Sequence, residues 1–183
     1  AVRVAAGALA KQILAEFQVE CIGFVDELGG QQIRRQEGDI QQWRTLREQS
    51  AVYSLNPAQD PEIKQLIDQA EENGDTLGGI LEVHISGLPF GLGTHAQWDR
   101  KLDGRIAQAV MAVQAIKGVE IGLGFEAARR PGSQVHDPIT YDADKKNTPS
   151  LGFQRPTNNA GGLEAGMTNG QSLVVRAAKK PIS

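Results

Sequence analysis

Residues 79–87, GILEVHISG, alternate apolar and polar side chains, and this alternation decides the class of fold. The two faces consist in turn of Leu81, Val83 and Ile85, and of Glu82, His84 and Ser86. Successive side chains of a β-strand point to opposite faces of the sheet, so the pattern predicts a strand that is covered on its apolar face. His84 is accordingly predicted to be a surface or interface residue.

Further strands and two helices are predicted on either side of this stretch. Short runs rich in apolar residues predict strands over residues 19–28, 118–125 and 171–179. Apolar residues at helical spacing predict helices over residues 3–17 and 102–116. The order of these segments predicts an α+β fold with helices packed on sheets.

Both of these helices have an apolar face. In the helix over residues 3–17 it consists of Val4, Ala8, Leu9, Ile13 and Phe17, and in the helix over residues 102–116 it consists of Leu102, Ile106, Ala109, Val110 and Val113. A third helix is predicted to open with Asp60 as its N-cap and Pro61 at its first position, and to stop at Gly74. Its buried stripe is predicted to consist of Ile63, Leu66, Ile67 and Ala70.

Two polar segments separate these elements. Residues 29–50 are rich in Gln and Arg, which predicts a solvated excursion. Residues 127–159 are polar and rich in Pro and Gly, which predicts a long loop, and loops of this length inside compact domains are usually functional. Residues 1–183 as a whole are predicted to form a single domain.

The composition is that of a globular protein and excludes several classes. The chain has 183 residues, a net charge of −3 and 40% hydrophobic residues, and its slight acidity argues against a nucleic-acid partner. Cys21 is the only cysteine, so an intrachain disulfide and a Cys-rich zinc site are excluded. No apolar run approaches the ~20 residues that span a bilayer, and no membrane association is predicted. The spacing of the three histidines does not suggest ligands, so no metal site is assigned.

Both ends of the chain are predicted to be cut. Residues 1–8 have the pattern of a helix already under way, because no Ser, Thr, Asp or Asn cap precedes them. The last five residues follow directly on a strand-like run. We therefore expect this sequence to be a piece of a longer chain.

Four glycine-bearing runs stand out, at residues 74–79, 87–93, 118–124 and 161–170. Glycine lets backbone N–H groups approach a ligand, and successive N–H groups can cradle a phosphate. Glycine equally serves tight turns, which are its commoner use. None of the runs matches a Walker A motif or a dinucleotide-binding fingerprint, so the residues alone leave both interpretations open.

Taken together, these runs closely resemble the signatures of the chorismate synthase family. The similar segments are GDTLGG at 74–79, QAIKGVEIG at 114–122, TNNAGG at 157–162 and MTNG at 167–170, with RVAAGA at 3–8, 87–93 and Lys180-Pro181 in the matching order. The resemblance covers essentially the whole chain and identifies it as a central fragment. It implies a β-α-β sandwich, with helices packed between antiparallel sheets, that is incomplete in this fragment, and a homotetramer.

The resemblance also implies an activity. Chorismate synthases are carbon–oxygen lyases that convert 5-enolpyruvylshikimate 3-phosphate to chorismate and phosphate, the last step of the shikimate pathway towards aromatic amino acids. They require reduced FMN, although the reaction has no net redox change. A cytoplasmic location is implied as well. The source of the reduced flavin, whether NADPH used by the protein itself or an external reductase, stays open.

The flavin contacts implied by the resemblance fall on three parts of this chain. They are Gln114 and Ala115, the backbone of Ala165, and the terminal group Lys180, Pro181, Ile182 and Ser183. Lys180 suits the flavin phosphate or its reduced anionic ring as a cationic partner. Without the resemblance, Gln114 and Ala115 are interpreted as packing at a helix end, and Lys180 as a solvated lysine.

No catalytic residue is assigned within this chain. The resemblance places the family's two catalytic histidines in segments before residue 1, and we expect the fragment alone to lack turnover. Two positions depart from the family pattern, because Leu123 stands where Asp is usual and Ala165 where glycine is commoner. Leu123 removes a carboxylate, and Ala165 costs little free energy if its φ is negative and more if it is positive.

Two alternatives from other classes remain. In the first, the glycine runs bind a flavin or phosphate and no chemistry follows, so the protein is a non-catalytic binding module. In the second, the runs are only turns, and the protein is a structural or oligomerisation domain. Flavin binding without activity in the intact gene product favours the first, and absence of flavin binding favours the second.

Overall fold

The computed structural model describes residues 1–148 and 150–182. Its helices are α1 (Val2–Ala15), α2 (Ile40–Gln49), α3 (Asp60–Glu72) and α4 (Leu102–Met111). Its strands are β1 (Glu20–Leu28), β2 (Gln31–Gln32), β3 (Gly79–Ser86), β4 (Ile116–Ile121), β5 (Thr140–Tyr141), β6 (Phe153–Gln154), β7 (Leu163–Glu164), β8 (Met167–Thr168) and β9 (Leu173–Lys179). Helices and strands therefore mix along the chain, as the α+β prediction requires.

The longer strands belong to one five-stranded sheet. Its strand order is β2-β1-β3-β9-β4, so strands distant in sequence lie next to each other. The pairs β1–β2, β5–β6 and β7–β8 are antiparallel, and the last two form separate two-stranded sheets. No helix in the described part of the chain is long and apolar enough to cross a membrane.

The chain forms two compact units. The first unit consists of Ala1–Cys21, His84–Gln108 and Glu120–Val175, and the second unit consists of Ile22–Val83, Ala109–Val119 and the residues from Arg176 on. Buried apolar side chains of the first unit include Val19, Leu163, Leu173 and Val175. Those of the second unit include Ile22, Phe24, Ile33, Leu55, Ile63, Ile116 and Ala177.

Helix α2 corrects the prediction of a solvated excursion over residues 29–50. Asp39 caps this helix, because its carboxylate accepts a hydrogen bond from the Gln42 N–H at 2.8 Å, and the Gln42 side chain accepts one from the Asp39 N–H at 2.9 Å. The ring of Trp43 then packs edge-on against Phe24, with centroids 6.0 Å apart. The capping box and one aromatic contact fix a helix whose sequence is otherwise polar.

Helix α3 begins where Asp60-Pro61 predicted, but Asp60 does not act as its N-cap. Gln59 occupies the cap position without a side-chain hydrogen bond. The buried carboxylate of Asp60 instead accepts hydrogen bonds from the Ser50 hydroxyl at 2.8 Å and from the Ala51 N–H at 2.5 Å. Asp60 therefore ties the end of α2 to the start of α3.

The predicted buried stripe of α3 is wider than the structure allows, and the apolar face of α1 is exposed. In α3, Ile63 is fully buried but Ile67 is 36% exposed. In α1 no residue is buried, and Val4 and Leu9 are 77% and 59% exposed. Helix α1 is rich in Ala and Leu, whose intrinsic propensity favours a helix. The segment is therefore helical although its apolar residues do not belong to the core.

Strand β3 reverses the predicted burial of its two faces. Glu82 and His84 are buried, while Leu81, Val83 and Ile85 on the apolar face are only half-buried. The prediction of a surface position for His84 was therefore wrong. Glu82 tolerates burial because the Arg35 guanidinium pairs with its carboxylate at 2.5 Å and also lies over the Trp43 ring. Burial, and next the Glu82 charge, raise the pKa of the neighbouring Asp26 above its ordinary value.

Several element bounds differ from the predictions by a few residues. Helix α4 ends at Met111 rather than at 116, and β4 ends at Ile121, where the chain turns through Gly122 with a φ of 59°. The segment 127–159 contains short 3-10 helices and the strands β5 and β6. The Tyr141 and Phe153 rings on these strands pack edge-on, 5.4 Å apart.

Candidate functional site

Two glycines of the run 74–79, Gly78 and Gly79, serve close backbone packing in the second unit. A Cβ on Gly78 would lie 2.6 Å from the Lys179 carbonyl oxygen, and one on Gly79 would overlap the carbonyl oxygen of Glu27. Side chains cannot approach a backbone oxygen this closely, so only glycine fits where β3 begins. The turn-and-packing interpretation therefore accounts for these two glycines.

Two of the glycine runs pair with each other in the first unit. The Thr168 N–H donates to the Leu92 carbonyl at 2.9 Å, and the Gly91 N–H donates to the Thr168 carbonyl at 2.9 Å. The Thr168 hydroxyl donates to the Pro89 carbonyl and accepts from the Leu92 N–H at 2.8 Å. The buried Thr168 thus joins the run 87–93 to the segment MTNG.

The run 118–124 meets the start of the run 161–170, also in the first unit. The Leu123 N–H donates to the Asn159 carbonyl at 2.9 Å, and the Val174 N–H donates to the Gly161 carbonyl at 3.0 Å. Gly122 and Gly161 lie back to back at positive φ, and a Cβ on either would overlap the other's backbone. Leu123 contributes through its backbone, so this contact does not depend on the carboxylate that its position lacks.

Asp137 anchors the TNNAGG segment from within the residues predicted as a long loop. Its carboxylate accepts hydrogen bonds from the Thr157 hydroxyl at 2.5 Å and from the N–H groups of Asn159 and Ala160 at 2.8 and 2.9 Å. Partial burial favours the neutral acid, but these hydrogen bonds and the positive charge of Arg155 outweigh it and lower the pKa of Asp137. Sequence reasoning missed Asp137, because its partners lie 20 or more residues away.

The structure brings together two of the predicted flavin-contact groups in the second unit. The Lys180 N–H donates to the Ala115 carbonyl at 2.9 Å. Ala115 has a φ of 69°, which turns the chain between α4 and β4 and presents this carbonyl. Gln114, Lys180, Pro181 and Ile182 are solvent-exposed, whereas Ser183 lies outside the described residues.

A cleft of about 490 Å³ adjoins this group in the second unit. Pro181 lines it together with Ala178 of β9, Glu27 of β1, and Gly78 and Gly79. No local sequence pattern predicts this cleft, because its walls come from three segments that lie close together only in the folded chain.

Ala165 lies in the first unit, at the turn of the β7–β8 hairpin. It has a φ of 52° and Gly166 a φ of 81°, as in two-residue hairpin turns of type I′. The positive φ means that alanine in place of glycine costs about 1 kcal/mol here. Ala165 is exposed and Gly166 is buried, so one side of the turn faces solvent.

The residues present suit a phosphorylated flavin. An exposed ammonium such as that of Lys180 can pair with a phosphate or an anionic ring. The exposed Gln114 amide can both donate and accept hydrogen bonds to a heteroaromatic ring edge. No group of three or more His, Cys, Asp or Glu side chains in residues 1–148 and 150–182 is arranged to hold a metal ion.

These features define an α+β protein in which glycine-rich loops pair with each other and the side chains of Gln114 and Lys180 are exposed. A family model described as chorismate synthase matches residues 1–183. The chain is 55% identical over 183 residues to the chorismate synthase of Geobacter sulfurreducens, and 50% identical over 181 residues to that of Enterococcus faecalis. The chain therefore belongs to the chorismate synthase family, and the resemblance inferred from its motifs is confirmed.

A solved structure supports the same conclusion for the fold. The chain superposes on a crystal structure of chorismate synthase with a TM-score of 0.90 at 46% identity, over 100% of this chain and 55% of the other. This likeness confirms the predicted β-α-β sandwich class. The chain spans about half the length of the curated relatives it matches, 47% in the case of Geobacter sulfurreducens.

Proposed function

We propose that the full-length protein, meaning this chain extended to the length of its relatives, is a chorismate synthase. It eliminates phosphate from 5-enolpyruvylshikimate 3-phosphate in an anti-1,4 sense and gives chorismate for aromatic amino acid biosynthesis. The observation that carries this proposal is the family match over all 183 residues. The pairing of the family-like loops in the first unit supports it.

The reaction sets demands that residues of this chain can meet in part. The substrate loses a proton and a phosphate dianion, and the new double bond forms as both leave. Bound reduced FMN would supply an electron-rich ring that can lend an electron and take up a proton, with no net oxidation of the substrate. In the second unit, the exposed Lys180 would hold the flavin's negative charge, while Gln114 and the Ala115 backbone would orient its ring. The Ala165 backbone, in the first unit, is proposed as a flavin contact in its own right.

The remaining requirements fall outside this chain. The family's catalytic histidines are expected in segments before residue 1, so the 183-residue chain alone should not turn over substrate. We further propose that the full-length protein is a cytoplasmic homotetramer. Its flavin is kept reduced either by its own NADPH-dependent reaction or by an external reductase.

The test is chorismate formation by the full-length protein with reduced FMN under anaerobic conditions, with FMN binding followed in parallel by flavin fluorescence. Chorismate formation supports the proposal. Flavin binding without chorismate formation would favour a non-catalytic binding module. The absence of both flavin binding and chorismate formation would favour a structural or oligomerisation domain. Either of these results contradicts the proposed activity.

A further inference from the structure

The β7–β8 hairpin is fixed unevenly on the two sides of its turn. The Gly166 carbonyl accepts a hydrogen bond from the Leu102 N–H at 2.9 Å, and a Cβ on Gly166 would lie 2.8 Å from the Thr94 carbonyl oxygen. Gly166 is therefore packed in place. Glu164 and Ala165 are exposed, so their side of the turn needs another anchor.

Arg155 is that anchor. Its Nη2 donates to the Glu164 carboxylate at 2.7 Å, and its Nη1 donates to the Asn169 carbonyl at 3.1 Å. Its side chain is only 12% exposed. Charge-assisted hydrogen bonds of this length from a largely buried guanidinium are among the stronger side-chain interactions. One guanidinium therefore holds Glu164 before the turn and Asn169 after it.

A network of amides completes the contact. The Asn169 amide donates to the same Glu164 oxygen at 3.1 Å, and Asn169 itself is buried. The Gln171 amide donates to the Arg155 carbonyl at 3.0 Å, and the Gln171 N–H donates to the Asn169 side-chain oxygen at 3.0 Å. The Arg155 backbone is thus bonded to Gln171, while its guanidinium bonds the hairpin at Glu164 and Asn169.

We propose that Arg155 and Glu164 form a clamp that positions the backbone of Ala165 for the flavin. Arg155 is a positioning residue, because it acts through Glu164. Alanine disfavours positive φ, and such a conformation persists only where its surroundings impose it. The clamp rests on the proposed function, because the contact between Ala165 and the flavin comes from the family resemblance.

The experiment compares Arg155→Gln and Glu164→Gln with the unmodified full-length protein. Each variant removes the ion pair, and Glu164→Gln does so at an exposed residue while keeping the size of the side chain. We expect FMN affinity, measured by fluorescence titration, to fall about tenfold in each. In the flavin-free protein, amide hydrogen exchange at Ala165 and Gly166 should become faster, which is a readout independent of activity.

Two further variants separate positioning from general loss of stability. Arg129→Gln removes an exposed arginine that pairs with Glu126 at 3.3 Å, and it should leave FMN affinity unchanged. Ala165→Gly added to Arg155→Gln should recover most of the lost affinity, because glycine adopts positive φ without help.

Two results would overturn the clamp. One is unmodified FMN affinity in both the Arg155→Gln and Glu164→Gln proteins. The other is a loss of affinity that Ala165→Gly does not recover, since that result assigns the pair a structural role only. Failure of the proposed function is distinguishable, because the unmodified protein would then bind no FMN or form no chorismate.

Discussion

Lys180 is the residue on which the flavin proposal depends most within this chain. Its backbone is tied to the Ala115 carbonyl, and its ammonium is exposed, within 3.1 Å of the Pro181 carbonyl oxygen. We predict that Lys180→Gln weakens FMN binding by the full-length protein about tenfold, because one charge-assisted contact to an anionic ligand is lost.

Fluorescence titration of FMN measures this prediction, and Lys64→Gln is the matched control. Lys64 is likewise exposed and belongs to the same unit, on α3. Equal FMN affinity in the Lys180→Gln and unmodified proteins would contradict a role for Lys180.

Asp137 gives a prediction about stability and pH. The folded state lowers its pKa below the ordinary value of 3.8, so folding favours the carboxylate. Its contribution is therefore fully present above about pH 4 and is lost as the pH falls through the lower folded-state pKa. We predict that Asp137→Asn lowers the free energy of unfolding at pH 7 by about 1–3 kcal/mol.

Urea unfolding of the full-length protein between pH 3 and pH 7 measures this effect. The difference between Asp137→Asn and the unmodified protein should shrink as the pH falls. Asp144→Asn is the control, because Asp144 is an exposed carboxylate in the same unit. A difference that stays constant over this pH range would mean that the charge of Asp137 is not what orders the TNNAGG segment.

At the scale of elements, the contact between Gly122 and Gly161 predicts a large effect of a single methyl group. Gly122→Ala forces both an unfavourable φ and an overlap with the Asn159 carbonyl oxygen. Gly30→Ala is the comparison: Gly30 also has a positive φ, of 84°, but no atom lies within 4 Å of the added Cβ. We expect losses in the free energy of unfolding of about 3 kcal/mol or more for the first and about 1 kcal/mol for the second.

Chemical denaturation of the two variants gives the comparison. Both share the cost of positive φ, so the difference between them isolates the steric contact. Equal losses would show that the two glycine loops do not pack as closely as the structure places them.

Local signals predicted elements well where they needed no distant partner. Pro61 and Gly74 mark the ends of α3 closely, and Gly74 has the positive φ of a helix stop. The failures came from tertiary contacts. The Asp60 carboxylate binds the Ser50 hydroxyl instead of capping its own helix, and the Arg35 guanidinium compensates the charge of the buried Glu82. Neither partner can be recognised from a local sequence pattern.

For the whole molecule, motif resemblance correctly predicted the family and the fold class, and the candidate flavin residues stay a prediction. Only the structure revealed how the glycine-rich loops meet. The Leu92 N–H bonds the Thr168 hydroxyl across 76 positions of sequence, and Arg155 reaches Glu164 and Asn169 across one hairpin. Periodicity and composition carry no information about such pairings. They depend on the five-stranded sheet and its non-sequential strand order.

We propose that this chain is part of a chorismate synthase and that the catalytic groups of the full-length protein lie outside residues 1–183. The most direct test is phosphate release from 5-enolpyruvylshikimate 3-phosphate with reduced FMN under anaerobic conditions. It is run on the full-length protein and on the 183-residue chain. We predict release by the full-length protein only. No release by a full-length protein that is folded and binds flavin would contradict the enzyme assignment, and release by the short chain would contradict the placement of its catalytic groups.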